Sequence, residues 1–373
     1  MAKSLPTHAE LVEYKHAVAG QYAYFPHYPS TTEFWHFYSD GTLCDVDGTL
    51  FIKPCVQAEV DFYEASVTSH QDFYEFMPTY LGVLTLDGSL PNASIEEQCD
   101  ALLAKHAHGL SPINVDAIPI AKRAVPEPVV AGRGPRKIPT NQAVVLENAA
   151  SGFVKPNILD VKLGIRLYAD DASPEKKARF DKVTEETTHK TLGFRIAGMR
   201  VWQGEGAVGD GIDDEGYKVY DKNFGRLSVT NDNIEAAIES FIFSHSAGID
   251  EDLGRLVCQA FLTDCERIQA VMEAKESRMF SASLLFVFEG DGASLRVAME
   301  EASAVAPVVN GNDAASDEDD EEPTGPKIYA VHMIDFAHAT WTPGQGPDEN
   351  SLFGIRNVAQ ILRNLSEGHR SSA

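Results

Sequence analysis

Asp160 and Lys162 stand two residues apart in the segment Pro156-Asn157-Ile158-Leu159-Asp160-Val161-Lys162-Leu163-Gly164. In an extended chain, alternation puts both on one side, with apolar neighbours around them. An acid and an amine held this way suit phosphoryl transfer, where positioning and charge neutralisation do most of the work. A second acid closes the apolar run Ile328–Ile334, in Ile334-Asp335-Phe336-Ala337-His338. A carboxylate at the end of a buried strand needs donors or a cation, and magnesium is commonly held by one or two carboxylates plus phosphate oxygens. Lys53 follows Leu50-Phe51-Ile52, and Glu59 comes six residues later. A strand lysine paired to a helix glutamate is how kinase-like folds aim an ammonium at nucleotide phosphates. Taken singly, the two acid–amine pairs read first as solvated charge pairs, and the aspartate reads as readily as one opening a turn.

The elements that must position these groups follow from periodicity. Short strands around Asp47-Gly48, the run Leu50–Lys53 and a helix carrying Glu59, Phe62 and Tyr63 make a small strand-rich lobe. Residues 88–139 are rich in Pro, Gly and Ala and read as a loop-rich insertion, with a short helical pattern at Glu96–Lys105. The strand Ala143–Leu146 then leads through Glu147-Asn148-Ala149 into a larger second lobe, so the boundaries are 1–146 and 147–373. In that lobe Asn233 is placed to cap a helix with an Ile234, Ala237, Ile238, Phe241, Ile242 stripe. A long helix covers about Glu251–Glu276, strands cover Ser283–Phe288 and Ile328–Ile334, and a last helix holds Leu352, Ile355, Val358, Ala359 and Leu362. An acidic loop at about 303–326 separates the two strands. The fold class is α+β.

With 31 basic and 56 acidic residues among 373, the net charge of −25 argues against direct nucleic-acid binding and against anionic membranes. No run of about 20 apolar residues exists to insert into a bilayer, and the first ten residues lack the apolar core of a signal peptide. Five cysteines without CxxC spacing disfavour a disulfide framework or structural zinc and fit a reducing compartment. The unbroken acidic run Asp317–Glu322 repels itself and stays solvated. Its charge suits docking of basic transcription factors, and the basic clusters Lys122-Arg123 and Arg133–Lys137 suit nuclear entry. Nucleus and cytoplasm are the expected compartments. Oligomeric state is not legible.

Together and in this order, the three chemical segments resemble the inositol polyphosphate kinase family. Pro156–Gly164 fits its Pro-x-x-x-Asp-x-Lys-x-Gly pattern in full. Further blocks that carry the resemblance are His16–Gln21, Glu59-x-x-Phe62-Tyr63, Leu192–Trp202, Ser283–Phe286 and Ile334–His338. The resemblance implies a two-lobed kinase-like fold with ATP and magnesium between the lobes. It implies Lys53 and its partner Glu59 at the ATP phosphates, Glu147 and Ala149 as hinge positions binding adenine through backbone atoms, and Asp160 at the ribose near the transferred group. It further implies Lys162 as the catalytic lysine, Ser283 and Asp335 as the serine and the metal-binding acid, and His338 on the substrate side. Gln21 stands where the family's usual His-x-Val-x-Gly-His block ends in histidine, so no phosphate role is carried over to it.

The acceptor side can be argued from charge. Residues 162–200 hold nine Lys and Arg against six Asp and Glu, a local positive excess in an acidic chain. Ser173-Pro174-Glu175 is a good helix start, and puts Lys176 and Arg179 on one side, with Phe180 and Val183 to anchor the helix. A cationic helical segment at about 165–191 beside Lys162 suits an inositol polyphosphate. Its brevity resembles the multikinase branch, including members that act in arginine-responsive transcription. The activity this implies is phosphorylation of inositol trisphosphate and tetrakisphosphate to the pentakisphosphate. Asp170–Arg179 is similar to the hexakisphosphate kinases as well, which leaves pyrophosphate synthesis as an alternative. A scaffold acting mainly through the acidic loop is another.

Overall fold

The computed structural model describes residues 12–13, 42–45, 47–85, 140, 142–305 and 327–368. Its first sheet contains β1 (Val12–Glu13), β2 (Leu43–Cys44), β3 (Leu50–Pro54), β4 (Tyr80–Thr85) and β5 (Gln142–Glu147), in the order β1-β2-β3-β5-β4 with every neighbouring pair antiparallel. Between β3 and β4 lie α1 (Gln57–Ser69) and the single turn α2 (Gln71–Tyr74). Helix α1 buries Glu59 together with Val60, Phe62, Tyr63 and Val67. Alternation in β3 buries Leu50 and Ile52 and leaves Lys53 on the other side. The helical pattern at Glu96–Lys105, the insertion 88–139, the block His16–Gln21 and the acidic run Asp317–Glu322 lie outside the described residues.

From β5 the chain crosses into a second sheet through residues 148–155. It continues as β6 (Pro156–Leu163), α3 (Pro174–Glu185), α4 (His189–Leu192), β7 (Phe194–Trp202), β8 (Tyr217–Tyr220), α5 (Ile234–Ile242), α6 (Glu251–Ala274), β9 (Ser277–Met279), β10 (Ser283–Glu289), α7 (Gly292–Val305), β11 (Tyr329–Ile334), β12 (Ala339–Trp341) and α8 (Glu349–Ser366). The second sheet has the order β11-β10-β6-β7-β8, again antiparallel, while β9 and β12 form a separate ribbon. All nine residues of β7 are buried, as expected of a strand covered on both faces. One continuous apolar core joins the two sheets, and α1 enters it through Phe62, which stacks on Phe336 at 4.8 Å and on Trp341 at 5.0 Å between ring centroids. That packing fixes the backbone next to Asp335.

Some expectations need correction. Asn233 does precede a helix, but its side chain does not cap it: Oδ1 accepts from Thr230 N at 2.7 Å and Nδ2 donates to the Ser228 carbonyl at 2.9 Å, so it closes the preceding turn instead. Helix α7 occupies residues up to Val305, so the first residues assigned to the acidic loop are helical. Helix α3 starts at Ser173 as expected, with its hydroxyl accepting from Lys176 N at 3.2 Å. Phe180 and Val183 are only half-buried, however, and the helix is held by Thr184, whose hydroxyl donates to the Ile165 carbonyl at 2.7 Å, and by Tyr168, which donates to Asp181 at 2.9 Å. Cys44, Cys55, Cys258 and Cys265 are buried free thiols. Among the described residues no helix is long and apolar enough to cross a membrane.

Candidate active site

Asp335 is the centre of the site. Its Oδ1 accepts from Lys53 Nζ at 2.8 Å and its Oδ2 from Lys162 Nζ at 3.1 Å, so one carboxylate draws together lysines from the two sheets. Lys53 also donates to Glu59 Oε1 at 3.0 Å, and Lys162 to the Ser281 carbonyl at 2.8 Å. Burial works to lower the Lys53 ammonium, but Asp335 and Glu59 more than offset it and hold its pKa well above the ordinary value. Burial likewise works to raise the Asp335 carboxyl, and the two lysines outweigh it, holding the acid well below the usual carboxylate range. Asp335 and Ser281 have left-handed backbone, at φ of 68° and 62°, a conformation that costs a non-glycine residue of order 1–3 kcal/mol and concentrates at functional sites.

Asp160 lies beneath this bridge and is only 3% exposed. Strand register places Ser283 opposite Lys162 and Leu285 opposite Asp160, so Ser283 shares the acid's face. Burial raises the Asp160 carboxyl to about 6 against the pull of Lys162. The Ser283 hydroxyl is close enough to favour the ionised form, yet neither it nor Asp160 Oδ1 meets a partner at hydrogen-bonding geometry. Asp335 and the unsatisfied Ser283 hydroxyl are hard oxygen donors of the kind magnesium or manganese takes. The end of the motif is fixed by Gly164 at φ 96°, where a Cβ would overlap Asn350. Asn350 holds the chain after β6 by accepting from Ile165 N at 2.9 Å and Arg166 N at 2.8 Å.

The hinge positions Glu147 and Ala149 flank Asn148, which is buried. Glu147 Oε1 pairs with Lys327 at 2.8 Å, its Oε2 accepts from Thr79 at 2.8 Å and its N–H donates to the Thr79 carbonyl at 2.9 Å, so both its side chain and its N–H are engaged and its carbonyl is the group to offer a base. Asn148 was not anticipated. Its Nδ2 donates to the Gly48 carbonyl at 2.7 Å, its N–H to the Thr49 carbonyl at 2.8 Å, and its Oδ1 accepts from Ala150 N at 3.1 Å. The hinge is thereby tied to the β2–β3 turn, itself braced by Asp45, which accepts from Leu50 N at 2.8 Å.

On the side expected to face the acceptor, Lys176 Nζ lies 3.0 Å from His338 Nε2. A lysine ammonium has no acceptor, so the imidazole accepts. Burial and then Lys176 lower the His338 pKa, which keeps that ring neutral. Arg179 is exposed on α3, its guanidinium 4.9 Å from the Phe180 ring centroid and in no ion pair among the described residues. Lys53, Glu59, Asp160, Lys162, Ser283 and Asp335 thus come together, with Lys176 and His338 as a neighbouring pair and Glu147 and Ala149 at the hinge. Two further titratable side chains, Arg226 and His189, lie close enough to Arg195 for their charges to act on one another. Burial holds the His189 imidazole well below its ordinary pKa, with Arg195 the next cause. Neither residue belongs to a periodic pattern that would have marked it.

A two-lobed kinase is the class that this fold and site define. The profile of the family described as inositol polyphosphate kinase matches residues 143–363. The chain is 32% identical over 358 residues to the inositol polyphosphate multikinase of Saccharomyces cerevisiae, covering 87% of this chain and 94% of that protein. It is 32% identical to mouse inositol hexakisphosphate kinase 3, but there the match covers 60% of this chain and 51% of the relative. The crystal structure of inositol phosphate multikinase Ipk2 from S. cerevisiae in complex with ADP and Mn2+ superposes with a TM-score of 0.57 at 28% identity, over 85% of this chain and 99% of that one. The chain belongs to the inositol polyphosphate kinase family and is a kinase.

Proposed function

We propose that the protein transfers the terminal phosphoryl group of ATP to hydroxyls of inositol trisphosphate and tetrakisphosphate, with the pentakisphosphate as end product. The observation that carries this reading is the convergence of Lys53 and Lys162 on Asp335 across the two sheets. Two ammonium groups held a few ångströms apart match the charge that builds up on phosphate oxygens during transfer. Adenine would lie on the backbone of Glu147 and Ala149, with Lys53 at the phosphates and Lys162 at the transferred group. Asp335, with the Ser283 hydroxyl nearby, offers oxygen donors for a divalent ion, Mg2+ or Mn2+, which when bound supplies Lewis-acid neutralisation of phosphate charge. Asp160, with a carboxyl at about 6, is suited to take the proton of the attacking hydroxyl at neutral pH. Lys176, Arg179 and His338 face the acceptor. The nearly full-length match to a multikinase, against a partial match to a hexakisphosphate kinase, favours the multikinase branch.

Incubation with labelled ATP, Mg2+ and inositol 1,4,5-trisphosphate should yield tetrakis- and pentakisphosphate far faster than inositol hexakisphosphate yields pyrophosphates. The reverse preference would move the protein to the other branch. Lys162→Ala and Asp335→Asn should each cut transfer by at least about 100-fold, the usual scale for removing a preorganised charge; near-normal turnover in a folded variant would overturn the site. A separate role in docking basic transcription factors in the nucleus rests on the charge of Asp317–Glu322 alone.

A further inference from the structure

Strand register orders the face of the second sheet that carries Asp160 and Lys162. Lys162 stands opposite Ser283, and Ser283 opposite Ile334; one pleat nearer the crossing from β5, Asp160, Leu285 and His332 form the next row. Ile158, Val287 and Ala330 form the row after that. Burial along β11 agrees, since Val331 and Met333 are buried in the core while Ala330, His332 and Ile334 are half-buried. Past Asp160 these two rows are apolar except for one side chain, His332. Its Nδ1 is shut off from solvent and meets no partner among the described residues. Burial lowers the pKa of the ring to about 4, and the next influences are Glu147 and Lys327, which act in opposite senses. His332 is therefore a neutral imidazole, with one nitrogen that donates and one that accepts, close to the charges at the hinge.

The hinge has few groups left to give a base. The Glu147 N–H donates to the Thr79 carbonyl at 2.9 Å and the Asn148 N–H to the Thr49 carbonyl at 2.8 Å, so both donors are engaged and the Glu147 carbonyl is an acceptor. An exocyclic amine has two hydrogens, and one carbonyl takes one of them. Leaving a buried polar group unpaired costs about 1–3 kcal/mol, so a second acceptor changes which base is preferred. An apolar floor with one placed polar group is also how a pocket fixes the orientation of a flat ligand. Resting on the ATP reading above, we propose that His332 is a base-specificity residue: a ring nitrogen accepts the second hydrogen of the 6-amino group of adenine. Hinge and floor together then select a 6-amino purine over a 6-oxo or an unsubstituted one.

The test is His332→Leu, assayed with ATP and with purine riboside triphosphate, which lacks the 6-amino group. Wild type should prefer ATP, and the variant should lose about 3- to 10-fold of that preference in KM, the scale of one neutral hydrogen bond. The KM for inositol 1,4,5-trisphosphate and kcat at saturating substrates should stay within about twofold. Calorimetric titration with ADP and with purine riboside diphosphate, which needs no acceptor, should show the same loss of preference. An unchanged preference in the folded variant would overturn the contact while leaving the kinase reading intact. Equal weakening toward both nucleotides with a lowered melting temperature would show a purely structural histidine and overturn it too. A wild-type protein that binds neither nucleotide would remove the ATP reading and this one with it. Should the Leu variant not fold, His332→Lys decides. An ammonium donates and cannot accept, so the preference should move several-fold from ATP toward inosine triphosphate, and no movement would refute the proposal.

Discussion

Asp160→Asn should make the protein more stable at pH 7 while abolishing transfer. Asparagine is close in shape to a protonated aspartic acid, so the substitution reports what it costs the fold to keep this buried carboxylate ionised. Burial raises the group from its ordinary 3.8 to about 6, even with Lys162 and Arg195 nearby. At about 1.4 kcal/mol per decade of proton affinity, the cost is about 3 kcal/mol, and imperfect mimicry by the amide brings the expected gain to about 1–3 kcal/mol. The sign follows from linkage. The folded state holds the Asp160 proton more tightly than the unfolded state, so wild-type stability falls as pH rises from about 4 to about 6 and is level above that. The advantage of the Asn variant should therefore be absent near pH 4, grow to about pH 6, and stay constant to pH 8. Denaturant titrations of both proteins at pH 4, 5, 6, 7 and 8 measure it. The wild-type kcat should fall in the same interval on the acid side, as the base becomes protonated. A variant less stable than wild type at pH 7, or an advantage that does not change with pH, would refute the burial argument.

Asn148→Ala, which cuts the tie between hinge and β2–β3 turn, should raise the KM for ATP about 5- to 20-fold, the effect of about 1–2 kcal/mol of lost hydrogen bonding, with acceptor KM unchanged in steady-state kinetics. Gly164→Ala, strained at φ 96° and overlapping Asn350, should lower stability by about 1–3 kcal/mol by denaturant titration and reduce kcat more than either KM, because it shifts the segment that carries Lys162. Deleting residues 311–325, between α7 and β11, should leave inositol phosphate kinase activity within about twofold and weaken salt-sensitive pull-down of basic DNA-binding domains. Loss of catalysis there would make the segment part of the enzyme.

What the sequence made legible and what it did not divide along physical lines. Lys53, Asp160 and Lys162 were readable because each sits on a strand, where alternation fixes the side a residue faces and a charge among apolar neighbours stands out, and Asp335 because it directly follows the apolar run of β11. Helix α8 and the stripe of α5 were readable for the same reason at a period of 3.6. The tie from Asn148 to Gly48 spans 100 residues and rests on single hydrogen bonds, which leave no periodic trace. Nor does the π-helical turn Phe224–Ser228: its wide winding breaks helical periodicity, and its one mark in the sequence is Gly225 before Arg226, a dipeptide that any loop can contain. Charge counting over residues 162–200 found the basic character of that stretch, yet it stopped short of Arg226, which the chain brings near Arg195 from beyond β8. Local patterns expose the groups that the strands carry to the bridge at Asp335, whereas contacts assembled from turns leave no periodic mark, and only the fold shows which groups meet there.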